Sequence, residues 1–239
     1  MSTKIQEEYE LSKGYELSEI IVGEEKLVEL TQENVAKVEA MIRTDSNYRI
    51  DKQDEKKSPY WIIEMGKFLK GKSCDQKLKE EIIRKVVELL DKENSTHLNA
   101  DKTGRDFMKE KITGCIEDGT LLKYLRERDF KLIDILSERT KQGKGGRRNV
   151  SFASKFCHFS CFYIFKGEEA QDNFSIYDGV VAKALPKYLA YYKLNDKFQI
   201  KDKDYEGYSK AIDAIIEASG SKISRNGFDH LIWYYFKGK

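Results

Sequence analysis

The sequence has little proline and almost no net charge. Only 2 of its 239 residues are proline, against 16 glycines, and Lys, Glu, Leu and Ile are common. Because proline and glycine disfavour helices, their scarcity favours a mainly helical, all-α protein. Lys and Arg number 43 and Asp and Glu 41, which leaves a net charge of +2. The overall charge therefore does not indicate nucleic-acid binding, and a DNA-binding face would need local clustering.

Patterns typical of metal sites are also missing. The four cysteines show no CxxC spacing, and the chain has 3 histidines. A zinc cluster is therefore not expected. Cys157 and Cys161 would share a helix face, where we expect them to act as small apolar side chains.

The absence of a signal peptide and of an apolar run of membrane length predicts a cytoplasmic protein. The length suits one substantial domain with a smaller attachment. Residues 1–30 are acidic and contain tyrosines, which suits a short hairpin or an interaction arm. Residues 44–58 are polar and indicate a linker. We therefore expect an N-terminal appendage and linker over residues 1–57 and a helical domain over residues 58–239.

Signals for helix starts recur along the chain. Thr31 precedes one stretch with helical apolar spacing, and Pro59 fixes the start of another. Ser73 and Gln76 form a capping-box pattern before a third. That third helix has a predicted buried stripe of four apolar residues: Leu78, Ile82, Val86 and Leu89.

The most informative stretch begins near residue 149. Four aromatic residues recur at i, i+4, i+7 and i+11 and predict a helix with one aromatic stripe: Phe152, Phe156, Phe159 and Tyr163. Lys155 lies at the edge of that stripe. Aromatic surface solvates an ammonium poorly, which favours the neutral, nucleophilic amine. Lys155 is therefore a candidate nucleophile, although such a lysine is also typical of a surface residue whose stem packs on the core.

Asp178 stands directly before GVVAKAL, where a second helix is expected to begin. This is an N-cap position, which would hold the carboxylate near the helix start. An aspartate before Gly-Val-Val is also a common cap with no further role. The order lysine, aromatic helix, loop, aspartate, helix is less common than either part, and it favours an enzyme.

These residues resemble a known family. SFASKFCHF followed by FSIYDGVVAKAL is similar to the lysine–aspartate segment of helix-hairpin-helix DNA glycosylases, in particular to the bacterial 8-oxoguanine DNA glycosylase-like proteins. SRNGFDHLIWYYFKGK resembles the closing Asp-x-x-x-Trp helix of the bacterial members. Where the family hairpin has glycines ahead of the lysine, this chain has Ser151 and Ala153. The resemblance thus implies a helix-hairpin-helix glycosylase-like fold with a degenerate hairpin.

The resemblance implies a DNA glycosylase with AP lyase activity that removes an 8-oxoguanine-like or hypermodified base. Lys155 would attack C1′ of an extruded nucleotide and form a Schiff base, and Asp178 would assist. The partner would be DNA, without a membrane, and the protein would act as a monomer. Four residues would line the base pocket: His158, Tyr177, Trp233 and Phe236.

Residues 141–148, KQGKGGRR, form a strong basic cluster just before the Lys155 helix. The glycines expose backbone N–H groups, and Lys144, Arg147 and Arg148 add charge, so a phosphate could bind there. Ser151 is a further candidate DNA contact. The P-loop spacing GxxxxGK[ST] is absent, and a mobile charged loop would explain the same composition.

Two other functions stay open. A non-catalytic helical DNA-binding or protein-interaction protein that keeps the glycosylase fold would fit the low net charge and the missing hairpin glycines. A monofunctional glycosylase would use water as the nucleophile, with Lys155 only positioning a phosphate. Neither the excised base nor the choice between genome repair and defence against modified foreign DNA follows from the sequence.

Overall fold

The computed structural model describes four stretches of the chain: residues 16–44, 53–98, 103–138 and 148–237. Within them the protein is mainly α-helical and has one two-stranded sheet, which confirms the predicted all-α class. The helix-hairpin-helix arrangement within that class stays a prediction. In chain order the elements are β1 (Glu19–Val22), β2 (Glu25–Val28), α1 (Gln32–Thr44), α2 (Ser58–Leu69), α3 (Gln76–Asn94), α4 (Gly104–Glu117), α5 (Thr120–Glu127), α6 (Lys131–Ser137), α7 (Val150–Ile164), a 3₁₀ helix (Glu169–Asp172), α8 (Gly179–Tyr191), α9 (Tyr205–Ser219) and α10 (Arg225–Phe236).

The contacts divide the chain into two compact units. The terminal unit combines Met1–Arg49 with Tyr177–Lys239, and the central unit is Ile50–Ile176. The boundary predicted between residues 57 and 58 lies near the first division. The segment before it packs with the C-terminal helices, however, because both α1 and β2 contact α10.

The N-terminal hairpin belongs to the core of the terminal unit. β1 and β2 pair antiparallel across a turn that contains Gly23, whose φ of +62° suits a glycine. The hydroxyl of Tyr188 on α8 donates to the carbonyl oxygen of Val28 at 2.8 Å, and Val28 is fully buried. Of the two structures considered for residues 1–30, the described part is therefore a hairpin that packs on helices of its own unit.

The predicted cap at Thr31 is present, and the capping box at Ser73 is wrong. Thr31 Oγ1 accepts a hydrogen bond from the backbone N–H of Asn34 at 3.1 Å. For α3 the cap is Asp75, whose Oδ1 accepts from the N–H of Leu78 at 2.9 Å. An Asp caps a helix at least as well as a Ser, and here the helix begins at the later residue.

The buried stripe of α3 is only partly as predicted. Ile82 and Val86 are buried, but Leu78 is 42% exposed and Leu89 is half-buried. Three other apolar residues complete the buried face of this helix: Ile83, Val87 and Leu90. The face is wider than one i, i+4 row because α3 packs on α2, α4 and α7.

Helix α7 forms the core of the central unit, and most of its side chains are buried. The rings of Phe152 and Phe156 are fully buried and stack at a centroid distance of 6.4 Å. Cys157 and Cys161 are fully buried free thiols, in agreement with the expected apolar role, and burial raises the pKa of both. The chain therefore has an aromatic helix at the predicted place.

A glycine allows α2 to pack closely on α7, which gives a matched pair of stability predictions. A Cβ at Gly66 would lie 2.8 Å from Cγ1 of Ile164, so Gly66→Ala should lower the free energy of unfolding by about 1–3 kcal/mol. A Cβ at Gly114 in α4 would meet nothing within 4 Å. Gly114→Ala should therefore raise that free energy by about 0.5–1 kcal/mol. Urea unfolding measures both, and a stabilising Gly66→Ala would contradict the close packing.

Candidate active site

Lys155 lies on α7, at the border of the core of the central unit. Its chain neighbours Ser154 and Phe156 are fully buried, whereas Lys155 is half-buried. This is the edge position that the aromatic spacing predicts. A half-buried lysine keeps its aliphatic stem among apolar side chains and brings its amine to the edge of the core.

The amine of Lys155 lies at the C-terminal end of α3. Its Nζ donates a hydrogen bond to the carbonyl oxygen of Asn94 at 3.1 Å. The last carbonyls of a helix lack partners within the helix and carry the negative end of its dipole, so they are good acceptors for an ammonium. The nitrogen must lose a proton before it can act as a nucleophile.

The last turn of α3 is fixed by a buried carboxylate. Asp91 is 4% exposed, and its Oδ1 accepts from Thr96 Oγ1 at 2.7 Å and from the N–H of Leu98 at 2.9 Å. Its Oδ2 accepts from Nε of Arg105 at 2.9 Å and pairs with the Arg105 guanidinium. Burial alone would raise the pKa of Asp91, but these hydrogen bonds outweigh it and hold the pKa below its ordinary value of 3.8. Asp91 thus joins the end of α3 to the chain that follows it and to α4.

The lowered pKa of Asp91 predicts an acid-sensitive contribution to stability. Because the folded pKa lies below the unfolded one, the contribution is complete above the unfolded value of 3.8. It is lost as the pH falls through the folded pKa. At pH 7, Asp91→Asn should lower the free energy of unfolding by about 3 kcal/mol, because it breaks a buried pair. Urea unfolding from pH 7 to pH 3 should show the gap between wild type and variant shrinking only at the acid end.

Glu93 fixes the same turn to α2. Its Oε1 accepts from the backbone N–H of Ser58 at 3.1 Å, and its Oε2 accepts from the Ser58 hydroxyl at 2.6 Å. The carboxylate therefore binds the first residue of α2, where helix N–H groups lack partners. The turn that receives the Lys155 amine is thus bonded to α2, α4 and α7.

His158, a predicted base-pocket residue, lies inside the central unit. It is 1% exposed, and its Nδ1 is 2.7 Å from the carbonyl oxygen of Phe174. Its ring stacks on Phe162 at a centroid distance of 6.2 Å. In this conformation His158 offers no surface to a base, because the hydrogen bond and the ring contact hold it in the core.

Asp178 caps α8, as its place before GVVAKAL predicts. Its Oδ1 accepts from the backbone N–H of Val180 at 2.7 Å, and the residue is half-buried. The Asp178 backbone is also hydrogen-bonded by Tyr208 of α9, which is fully buried. Burial and the carboxylate of Asp229 raise the pKa of Tyr208 well above its usual value, while the bond to Asp178 acts in the other direction. The backbone and the side chain of Asp178 are therefore both held within the terminal unit.

Tyr177, another predicted pocket residue, lies against the same buried tyrosine. Its ring centroid is 4.9 Å from that of Tyr208. Its hydroxyl accepts from the backbone N–H of Lys203 at 3.1 Å and donates to Asp202 Oδ1 at 3.4 Å. Tyr177 is half-buried.

Trp233 and Phe236 lie on α10, and both are half-buried. The ammonium of Lys237 is 3.9 Å from the centroid of a Trp233 ring, which is a cation–π contact. Phe236 packs edge-to-face on Tyr188 at 6.4 Å. Packing within the terminal unit accounts for much of the surface of Phe236, and one ring face of Trp233 is covered by the Lys237 ammonium.

The predicted DNA-binding residues are only partly described. Lys144 and Arg147 lie outside the described residues. Arg148 donates to Asp134 Oδ1 at 2.7 Å, so part of its charge is already balanced. Ser151 is half-buried on the first turn of α7, where its carbonyl oxygen accepts from the hydroxyl of Ser154. The phosphate-binding prediction for this segment stays a prediction.

The candidate residues are divided between the two units. The central unit contains Lys155, His158, Arg148 and Ser151, and the terminal unit contains Asp178, Tyr177, Trp233 and Phe236. Sequence reasoning missed three residues that hold the candidate catalytic groups: Asn94, Asp91 and Tyr208. The Asn94 contact has no sequence signal, because the acceptor is a backbone oxygen.

The described stretches show no group of three or more His, Cys, Asp or Glu placed to hold a metal ion. In the same stretches, every helix is too short or too polar to cross a bilayer.

Comparison with known proteins adds no family: no family model matches the chain, and searches of curated proteins and solved structures return no match.

Proposed function

We propose that this protein is a DNA glycosylase with AP lyase activity and that Lys155 is its nucleophile. The observation that carries the proposal is the placement of the Lys155 amine, half-buried on an aromatic helix and held at the end of α3. A lysine with its amine at the edge of the core, in a segment that resembles a glycosylase motif, is a candidate nucleophile.

The proposed reaction begins with an extruded nucleotide, because a base inside a duplex cannot be reached. The neutral amine of Lys155 bonds to C1′, and the N-glycosidic bond breaks. The base leaves with that electron pair and takes up a proton. The amine nitrogen gives up one proton, and its lone pair then forms a C=N bond as the C1′–O4′ bond breaks. O4′ takes up a proton as the ring opens, which leaves a protonated Schiff base at C1′. β-Elimination then removes a proton from C2′, expels the 3′ phosphate and cuts the strand. This sequence needs no metal and no organic cofactor.

By the same resemblance, the carboxylate of Asp178 assists this reaction. Positive charge develops on the sugar as the base leaves, and a fixed carboxylate stabilises such charge. The cap at the start of α8 fixes this carboxylate, and Tyr208 bonds the backbone of the same residue. Trp233 and Tyr177 supply aromatic surface on which a base can stack.

A non-catalytic protein is the second candidate, and one observation favours it. Lys70 donates from Nζ to the carbonyl oxygen of Ile164 at 2.6 Å, at the end of α7. The contact of Lys155 with Asn94 is of the same kind, so a lysine in that place can have a purely structural role. The protein would then bind DNA or another protein without chemistry.

Borohydride trapping separates these candidates. The protein is incubated with duplexes that carry 8-oxoguanine, an alkylated base, a mismatch or a hypermodified base, and then reduced. The proposal expects a covalent adduct, which peptide mass spectrometry places on Lys155. Base loss without an adduct would indicate a monofunctional glycosylase. Neither base loss nor an adduct on any duplex would favour the non-catalytic protein.

A further inference from the structure

The turn that ends α3 presents a backbone acceptor to the Lys155 amine. The helix ends at Asn94, and Ser95 follows in the left-handed conformation with φ of 48°. The Ser95 N–H bonds to the backbone carbonyl of Asp91, which closes the turn. The carbonyl of Asn94 accepts a hydrogen bond from the Lys155 ammonium at 3.1 Å.

The Asp91 side chain braces the chain that follows this carbonyl. Asp91 accepts from Thr96 and Leu98, which lie directly after the helix end, and from Arg105 on α4. Both carboxylate oxygens are therefore used, and Oδ1 ties down residues that follow the Asn94–Ser95 peptide. Without these bonds, only backbone hydrogen bonds to the Asp91 carbonyl would hold that peptide, and the acceptor of Lys155 would shift more easily.

Holding matters for a lysine because its side chain is long and flexible. A nucleophile reacts fast only when its approach to the reacting carbon is already fixed, and a displacement of about 1 Å can lower the rate about a hundredfold. A backbone carbonyl on a braced helix end supplies such a fixed point.

We propose that Asp91 is a positioning residue, which holds the Lys155 amine in place through the end of α3. The claim that this positioning serves catalysis rests on the proposed function, whereas the claim that Asp91 positions the amine does not. Thr96 and Arg105 contribute to the same positioning, because each donates a hydrogen bond to the Asp91 carboxylate.

Thr96 gives the cleanest variants. Thr96→Val removes the hydroxyl bond at nearly constant shape, and Thr96→Ser keeps it. Asp91→Asn is the larger change, and Thr96→Val remains informative if Asp91→Asn does not fold. The control is Asp213→Asn in the terminal unit, which breaks a more exposed carboxylate–guanidinium pair with Arg225 at 2.6 Å.

The first measurement needs no DNA. Folded protein is treated with formaldehyde and cyanoborohydride, and mass spectrometry follows methylation at Lys155 and at Lys70. We expect Thr96→Val and Asp91→Asn to raise the rate at Lys155 at least threefold relative to Lys70, and Thr96→Ser to restore it. An unchanged Lys155 rate would overturn the inference, as would an equal rise in Asp213→Asn.

The second measurement follows excision of the base that the trapping experiment identifies. Thr96→Val should lower kcat about tenfold with KM within twofold, because DNA binding is untouched and only the amine is displaced. A structural role alone would lower the melting temperature and leave kcat unchanged, which would overturn the catalytic meaning. If the wild type forms no adduct with any duplex, the proposed function fails and the methylation rates still decide the positioning.

Discussion

Lys155→Gln is expected to abolish base excision and the borohydride-trapped adduct together. The proposed reaction needs a primary amine at this position, and removal of a nucleophile costs at least about a thousandfold in rate. The variant should still bind the substrate duplex, because the bond lost joins Lys155 to a backbone carbonyl of its own unit. Gel-based excision assays and titration of fluorescent duplex measure the two properties separately.

Lys155→Arg makes the test sharper. A guanidinium keeps the positive charge and can still donate to the Asn94 carbonyl, so that carbonyl should keep a hydrogen-bond donor. It also stays protonated and cannot attack a sugar. The Arg variant should therefore lose excision as completely as the Gln variant, which separates chemistry from charge and from packing.

Lys70→Gln is the matched control, because Lys70 also donates to a helix-end carbonyl in the central unit. It should leave both the adduct and the excision rate within a few-fold of wild type. If Lys155→Arg still forms the wild-type adduct, another residue is the nucleophile. If all three variants match the wild type, Lys155 only packs on the core.

The helices follow from local sequence patterns, and this explains which predictions succeed. Asp178 caps its helix as predicted, because its oxygen bonds a backbone N–H only two residues away. The aromatic spacing from Phe152 likewise depends on one helix. The wrong cap prediction at Ser73 also concerns only neighbouring residues. Asp75, two residues later, is an equally good cap, and the sequence pattern does not distinguish the two positions.

The surroundings of the candidate groups depend on contacts distant in the chain. Lys155 bonds a carbonyl 61 residues away, and His158 bonds one 16 residues away. Carbonyl acceptors carry no residue signature, so no sequence pattern indicates them. For the same reason the burial of His158 could not be predicted, whereas its place on an aromatic helix could.

Asp178→Asn is expected to slow excision by about a hundredfold or more, the usual cost of losing a charge-stabilising group. The fold should survive. Asn caps helices about as well as Asp, and its amide oxygen can still accept from Val180. Loss of the charge near the helix start costs only about 0.3–1 kcal/mol in the free energy of unfolding. The reaction should therefore suffer far more than the stability.

Asp204→Asn gives the matched control for this variant. Asp204 caps α9 in the same unit, and its Oδ1 accepts from the N–H of Gly207 at 3.0 Å. Both variants remove one capping carboxylate and keep the capping oxygen, so their melting temperatures should shift by similar small amounts. Only Asp178→Asn should slow excision under single-turnover conditions, where product release does not limit the rate. Equal excision rates for the two variants would make Asp178 a cap and nothing more, and the stabilisation of the sugar cation would have to come from another group.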